Sequence, residues 1–223
     1  MKSIPLILAL VLFLLVCVTT PVSAAVVKSG FNAGDGGDGR DGWVSKSPDA
    51  PVTWDQTDGI GLPPGCLKIT DDSTPDAAVF KAPQKFLGDW TASEYISFNY
   101  KRENPIEIPY QQVQLVYIFN GQNQWAFLTY IEATTEWQHF IAPLNESDWV
   151  QWVPGGVQPL SWADTLTHIT EFFICGDLII NSNYGLAYEV NYLDNVTLAL
   201  VPEPATVLLL GFGGFALLRK RRA

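Results

Sequence analysis

Gln112-Val113-Gln114-Leu115-Val116-Tyr117-Ile118-Phe119, then Asn120-Gly121-Gln122-Asn123, then Trp125-Ala126-Phe127-Leu128-Thr129-Tyr130-Ile131: this stretch decides the fold class. Side chains alternate across a strand. Val113, Leu115, Tyr117 and Phe119 therefore fall on one face of the first run, with Gln112 and Gln114 opposite, and Trp125, Phe127 and Ile131 share a face of the second. The Asn120-Gly121-Gln122-Asn123 stretch between these two runs is hairpin chemistry. Working outward, Ile96, Phe98 and Tyr100 align in the run Tyr95–Tyr100. Short runs rich in aromatic and β-branched residues follow at Val52–Asp55, Cys66–Thr70, Ala77–Ala82, Trp137–Ala142, Glu171–Gly176 and Tyr188–Leu200. One helix interrupts them. Pro159 ends the preceding segment, Ser161 can cap, and Asp164 three residues later completes a loose capping box for a helix running to about His168. Short strands broken by Gly, Pro and Asn, with no repeat, predict an all-β, jelly-roll-like antiparallel β-sandwich with one short helix.

The two ends obey different rules. Lys2 precedes an apolar run from Leu6 to Val18 and the small-residue ending Val22-Ser23-Ala24, the pattern of a secretory signal helix cut after Ala24. Cys17 follows Val16 rather than a small residue, which argues against a lipid anchor. At the other end Val201-Pro202-Glu203-Pro204 leads into a short hydrophobic helix, Ala205–Leu218, and then Arg219-Lys220-Arg221-Arg222. That run is shorter than the roughly 20 apolar residues of a permanent span. A short apolar segment backed by a cytoplasmic basic cluster still tethers a chain transiently. The expected division is 1–24 signal peptide, 25–200 one sandwich domain and 201–223 tether.

This three-part tail resembles the PEP-CTERM sorting signal. The resemblance covers residues 201–223 alone and speaks to address, not activity. It implies that Val201, Pro202, Glu203, Pro204, Arg219, Lys220, Arg221 and Arg222 are read by an exosortase of a Gram-negative bacterium that makes extracellular polysaccharide. It further implies passage through the Sec translocon, transient inner-membrane anchoring, and delivery to the cell surface or the medium.

Without its ends the chain loses five of its 13 basic residues and one of its 23 acidic ones, so residues 25–200 carry a net charge of −14. Such a body repels phosphate backbones, which argues against nucleic-acid partners. It is compatible with divalent cations and neutral sugars. Cys66 and Cys175 remain once Cys17 is gone, and an even pair in an oxidising compartment suggests one disulfide.

A second resemblance rests on Asp41-Gly42-Trp43, the run Ala82-Pro83-Gln84-Lys85-Phe86-Leu87-Gly88-Asp89-Trp90, Ile96-Ser97-Phe98, and the ending Tyr192-Leu193-Asp194-Asn195-Val196. Together with the late helix and the strand after it, these residues resemble the laminin B (laminin IV type A) domain of bacterial secreted proteins, over roughly residues 30–200. Arg102–Tyr110, with its two prolines, departs from that pattern. The resemblance implies a surface or matrix module with no known chemistry of its own.

Candidate sites are few. His139 and His168 have no nucleophile motif beside them. Glu132 and Glu136 sit near a turn between aromatic strands, and a glycosidase needs two acids roughly 5–10 Å apart, but Glu94, Glu171 and Glu189 are equally available. Asp35 and Asp38 in the Gly-rich run Asn32–Gly42 offer oxygens to a hard cation. By analogy with jelly-roll modules, Asn32, Asp35, Asp38 and Asp194 are candidate ligands for a structural calcium, with Asp71, Asp72 and Asp76 a second acidic loop. Trp149, Gln151 and Trp152 are the candidate sugar platform, because a sugar ring buries its apolar face on an indole while a neighbouring amide takes its hydroxyls. Trp54 and Trp162 are weaker options. In a strand Trp149 and Trp152 point to opposite faces, so one of them belongs to the core.

The reading that follows is a non-catalytic, exported surface or matrix protein binding polysaccharide or another envelope component. A purely structural matrix component and an extracellular glycoside hydrolase are the alternatives.

Overall fold

Two six-stranded antiparallel sheets form the computed structural model, which describes residues 26–31, 37–61, 64–71, 78–103, 112–132, 134–176 and 189–200. Sheet I runs β3 (Thr53–Asp55), β4 (Cys66–Asp71), β12 (Glu189–Leu200), β6 (Ser93–Arg102), β9 (Gln138–Pro143), with β1 (Val27–Ser29) also paired to β12. Sheet II runs β10 (Trp149–Trp152), β8 (Asn123–Thr129), β7 (Val113–Asn120), β11 (Glu171–Cys175), β5 (Val79–Lys81), β2 (Val44–Ser45). Every resolved pairing is antiparallel, and the chain switches sheets repeatedly, as in a jelly roll. The expected all-β sandwich is therefore present. The signal helix and the C-terminal hydrophobic helix lie outside the described residues, and no helix among those residues is long and apolar enough to cross a membrane.

The helix expected after Ser161 is α1 (Trp162–Leu166). Ser161 Oγ accepts from the Asp164 amide at 3.1 Å and donates to the Asp164 carboxylate at 2.6 Å, so the cap is reciprocal. The helix stops two residues before His168, where the chain forms a bridge between Ile169 and Gly88.

The aromatic residues Trp43, Phe86, Trp90 and Phe98 of the laminin B resemblance are packing residues. Trp43, Phe86, Trp90 and Phe172 are buried, with ring centroids 5.4–6.0 Å apart in edge or tilted contacts. Trp90 Nε1 donates to the Phe86 carbonyl at 2.8 Å, so the Phe86–Trp90 turn closes on itself inside the core. Aromatic pairs in such geometry add roughly 0.5–1.5 kcal/mol each beyond the area they bury. At one end the core turns polar: Arg102 and Glu189, both 1% exposed, form an ion pair at 2.9 Å between β6 and β12.

The deciding hairpin forms as expected, but its first strand does not keep one phase. Val113 pairs with Thr129 and Gln114 with Leu128, then the register slips so that Val116 faces Phe127 and Ile118 faces Trp125. Leu115 is the extra residue, and both Leu115 and Val116 are fully buried. The bulge therefore corrects the simple alternation: Val116 and Ile118 enter the core, while Tyr117 and Phe119 turn to the outer face.

The two cysteines are not joined to each other, contrary to the expected disulfide. Cys66, on β4, lies in a small cluster with Val190, Tyr192 and Trp137. Cys175, on β11 of the other sheet, belongs to the main core. Packed on different sheets, the pair lacks the close approach of Cβ atoms, roughly 3.8 Å, that a disulfide needs.

Candidate functional site

The bulge in β7 creates an aromatic outer face on sheet II. Residues directly opposite one another share a face, so the pairings can be followed across the sheet. Val150 lies opposite Ala126, Ala126 opposite Tyr117, Tyr117 opposite Phe173, Phe173 opposite Lys81, and Lys81 opposite Val44. This row crosses all the strands of the sheet. At about 4.8 Å per step it is roughly 24 Å long. A second row runs beside it, Trp152 to Gln124 to Phe119 to Glu171.

Exposure is greatest at the ends. Trp152 is 60% exposed, Val150 51% and Val44 45%. Tyr117, Phe119 and Gln124 are half-buried. Ala126, between Val150 and Tyr117 in the row, is buried. Phe173 is covered by Phe119 at 5.3 Å and by the ammonium groups of Lys46 and Lys81, 5.4 and 5.6 Å from its ring. Lys81 also pairs with Glu171 at 2.7 Å. Tyr117 donates its hydroxyl proton to Gln114 Oε1 at 3.1 Å. Amphipathic rings with amides and one ion pair at the margins can take a ligand that has apolar faces and hydroxyl edges.

The sequence candidates divide. Trp149 is core: it packs against Phe127 and Trp162 at 5.6 and 5.4 Å and donates its Nε1 proton to the Pro143 carbonyl at 2.7 Å. Gln151 is occupied with the Leu160 carbonyl at 2.7 Å. Trp152 faces water. Trp54 donates to the Phe31 carbonyl at 2.8 Å, and Trp162 is buried against Trp125. The platform residues Tyr117, Phe119 and Val150 escaped the alternation reading. Leu115-Val116 side by side in an alternating run is the trace of the bulge that exposes the first two.

Of the calcium candidates, Asn32 and Asp35 lie outside the described residues. Asp38 is exposed and paired with Arg40, whose amide and guanidinium hold its carboxyl below the usual range. Gly39 sits at φ +72° against the Trp54 ring, which leaves no room for a Cβ, so this end of the Gly-Asp run is a packed turn. Asp194 is fully buried and accepts from the amides of Ile60 and Asn195, each at 2.7 Å. Burial pushes its carboxyl up to about 6, against the pull of those two amides. Asn195, at φ +52°, marks the place where β12 passes from β4 to β1. Among the described residues no group of three or more His, Cys, Asp or Glu side chains is placed to hold a metal ion. The Asp71 side chain, Asp72 and Asp76 lie outside the described part.

Behind Asp194, on the outer face of sheet I, Lys101 pairs with Asp58 and lies 5.0 Å from the Tyr192 ring. Trp137 Nε1 donates to Asp58 at 3.2 Å, and Tyr192 donates to Glu103 at 2.7 Å. Burial, reinforced by Asp58, pushes the Cys66 thiol far up. These groups satisfy one another. His139 is exposed with Nδ1 2.9 Å from Asn99 Oδ1, and His168, Glu132 and Glu136 are exposed.

Comparison with known proteins places the chain as follows. No curated protein matches it. Among solved structures it is similar to the Family 11 Carbohydrate-Binding Module of cellulosomal cellulase Lic26A-Cel5E of Clostridium thermocellum (16% identity, TM-score 0.46, covering 72% of this chain and 88% of that one). It is similar also to the L4b domain of human laminin alpha-2 (10%, 0.46, 71% and 90%) and to the CBM22-1 xylan-binding domain from Paenibacillus barcinonensis Xyn10C (11%, 0.41, 78% and 93%). At its C-terminus, residues 200–222 match the PEP-CTERM protein-sorting motif, and the chain ends in that motif.

Proposed function

We propose that this is an exported, non-catalytic protein that binds extracellular polysaccharide on the outer face of sheet II. Trp152 carries the reading: an indole 60% exposed, in register with Gln124 and Phe119, beside the row from Val150 through Tyr117 to Phe173. A folded chain gains nothing by leaving so large an apolar ring in water, whereas a sugar ring laid on it restores the burial. The sorting motif supplies the setting. The chain leaves through the Sec translocon, is held at the inner membrane by its tail, is trimmed by an exosortase, and meets its ligand at the surface of, or outside, a Gram-negative cell.

The experiment is calorimetry of the trimmed protein, recovered from its producing cell, against that cell's own polysaccharide. Wild type binds, and Trp152→Ala weakens binding about tenfold, or ~1.4 kcal/mol, without lowering the melting temperature. Absence of binding to this polysaccharide and to a broad glycan panel would overturn the reading in favour of a purely structural matrix component. Release of reducing ends from the polysaccharide would overturn its non-catalytic part.

A further inference from the structure

The last strand of the sandwich and the sorting motif share a residue: β12 ends at Leu200, and the motif begins there. Val201 alone separates the strand from Pro202-Glu203-Pro204. Just upstream, Val196, Thr197 and Leu198 pair with Ser29, Lys28 and Val27 of β1, while β6 flanks β12 on its other side. Val196, Leu198 and Ala199 are buried. From Leu198 to Pro202 the chain can reach at most about 14 Å. An enzyme that engages the motif therefore works within that distance of a strand bonded along both edges.

More chain could come only from peeling β12 away. Peeling would break pairing on two sides and carry three buried apolar residues into water, which is far from the low-cost opening seen at frayed ends. Strand β1 is also pinned. Ser29 Oγ accepts from Trp43 Nε1 at 3.0 Å and donates to Asp41 at 2.6 Å, and Lys85 donates to the Lys28 carbonyl. Beside this pair lies Val26, an apolar residue 42% exposed where the first strand begins.

We propose that the sorting enzyme acts on the already folded sandwich, and that the β1–β12 corner, with Val26 at its edge, is part of that enzyme's docking surface. The partner is a membrane-embedded peptidase or transpeptidase. The inference needs the sorting motif to be used but not the glycan-binding reading, and the two can fail separately.

The test follows tail removal by mass spectrometry in the producing cell, using the full chain. Lys28→Cys combined with Thr197→Cys staples the two strands across a facing pair, and the stapled protein should be trimmed at the wild-type rate. Trimming that stops, and returns with reductant, would show that β12 must peel and would overturn the proposal. A flexible Gly-Ser insertion between Leu200 and Val201 moves the corner away from the enzyme, and Val26→Asp alters it in place. Each should slow trimming about tenfold, the loss expected on removing one docking contact. An unchanged or faster rate with the insertion would overturn the docking surface. A wild-type chain that keeps its tail would overturn this inference along with the sorting step, leaving glycan binding to stand on its own test.

Discussion

Among the described residues Asp194 is the aspartate that folding buries. Its charge is buried and meets two backbone amides, and burial wins, so the folded carboxyl ionises at about 6 while an unfolded one ionises near 3.9. The folded state therefore holds this proton more tightly, and stability falls as pH rises from about 4 to about 6, by about 3 kcal/mol in all. Asp38, Asp55, Asp58 and Asp89 act in the opposite sense. Their folded values are lowered, so their contribution is present above about 4 and is lost as pH falls further. At Asp58 burial opposes ionisation but is outweighed by Lys101, the Gly59 amide and Trp137. Urea midpoints should peak near pH 4–5 in wild type, and Asp194→Asn should flatten the decline between pH 4 and 6. A variant that keeps the full decline would show that another group is responsible. Cys66 gives a second residue-level expectation: with its thiol buried and pushed up, it should resist alkylation at neutral pH until the protein is unfolded.

At the scale of elements, what the sequence made readable depended on whether a run offered one phase or two. Ile96, Phe98 and Tyr100 are apolar in a single phase, and all three are buried as expected. From Leu115 onward β7 is apolar in both phases, so alternation could not tell which set faces inward. The choice is made by β8, whose Trp125 and Phe127 demand Ile118 and Val116 as partners. Strands β1 and β2 are three and two residues long and carry no periodicity to read. The expected disulfide is absent for a related reason: which cluster each cysteine joins is set by packing, not by cysteine count. Deleting Leu115 removes the extra residue and joins the two pairing registers, so Val113, Val116 and Ile118 stay inward while Gln114, Tyr117 and Phe119 stay outward. The variant loses one buried leucine along with the bulge, so it should still melt cooperatively, about 2–5 kcal/mol less stable than wild type; a chain that no longer folds would refute Leu115 as the extra residue. Ser161→Ala should cost about 1 kcal/mol, read from the urea midpoint, because it removes both halves of the α1 cap.

Over the whole molecule, a net charge of −14 on residues 25–200 means that like charges push on the folded body. Screening shortens that reach from about 30 Å at 0.01 M salt to about 3 Å at 1 M, so the thermal midpoint should climb with added NaCl. A midpoint that drops would show that the ion pairs outweigh the repulsion. The eight tryptophans are spread just as unevenly. Trp43, Trp90, Trp125, Trp149 and Trp162 are buried, Trp54 and Trp137 are half-buried, and Trp152 alone is exposed. Intrinsic fluorescence is therefore a blue-weighted background with one long-wavelength emitter. A collisional quencher such as acrylamide will find that emitter before any other, so shielding of red-edge emission gives an optical readout of a single position with no label attached.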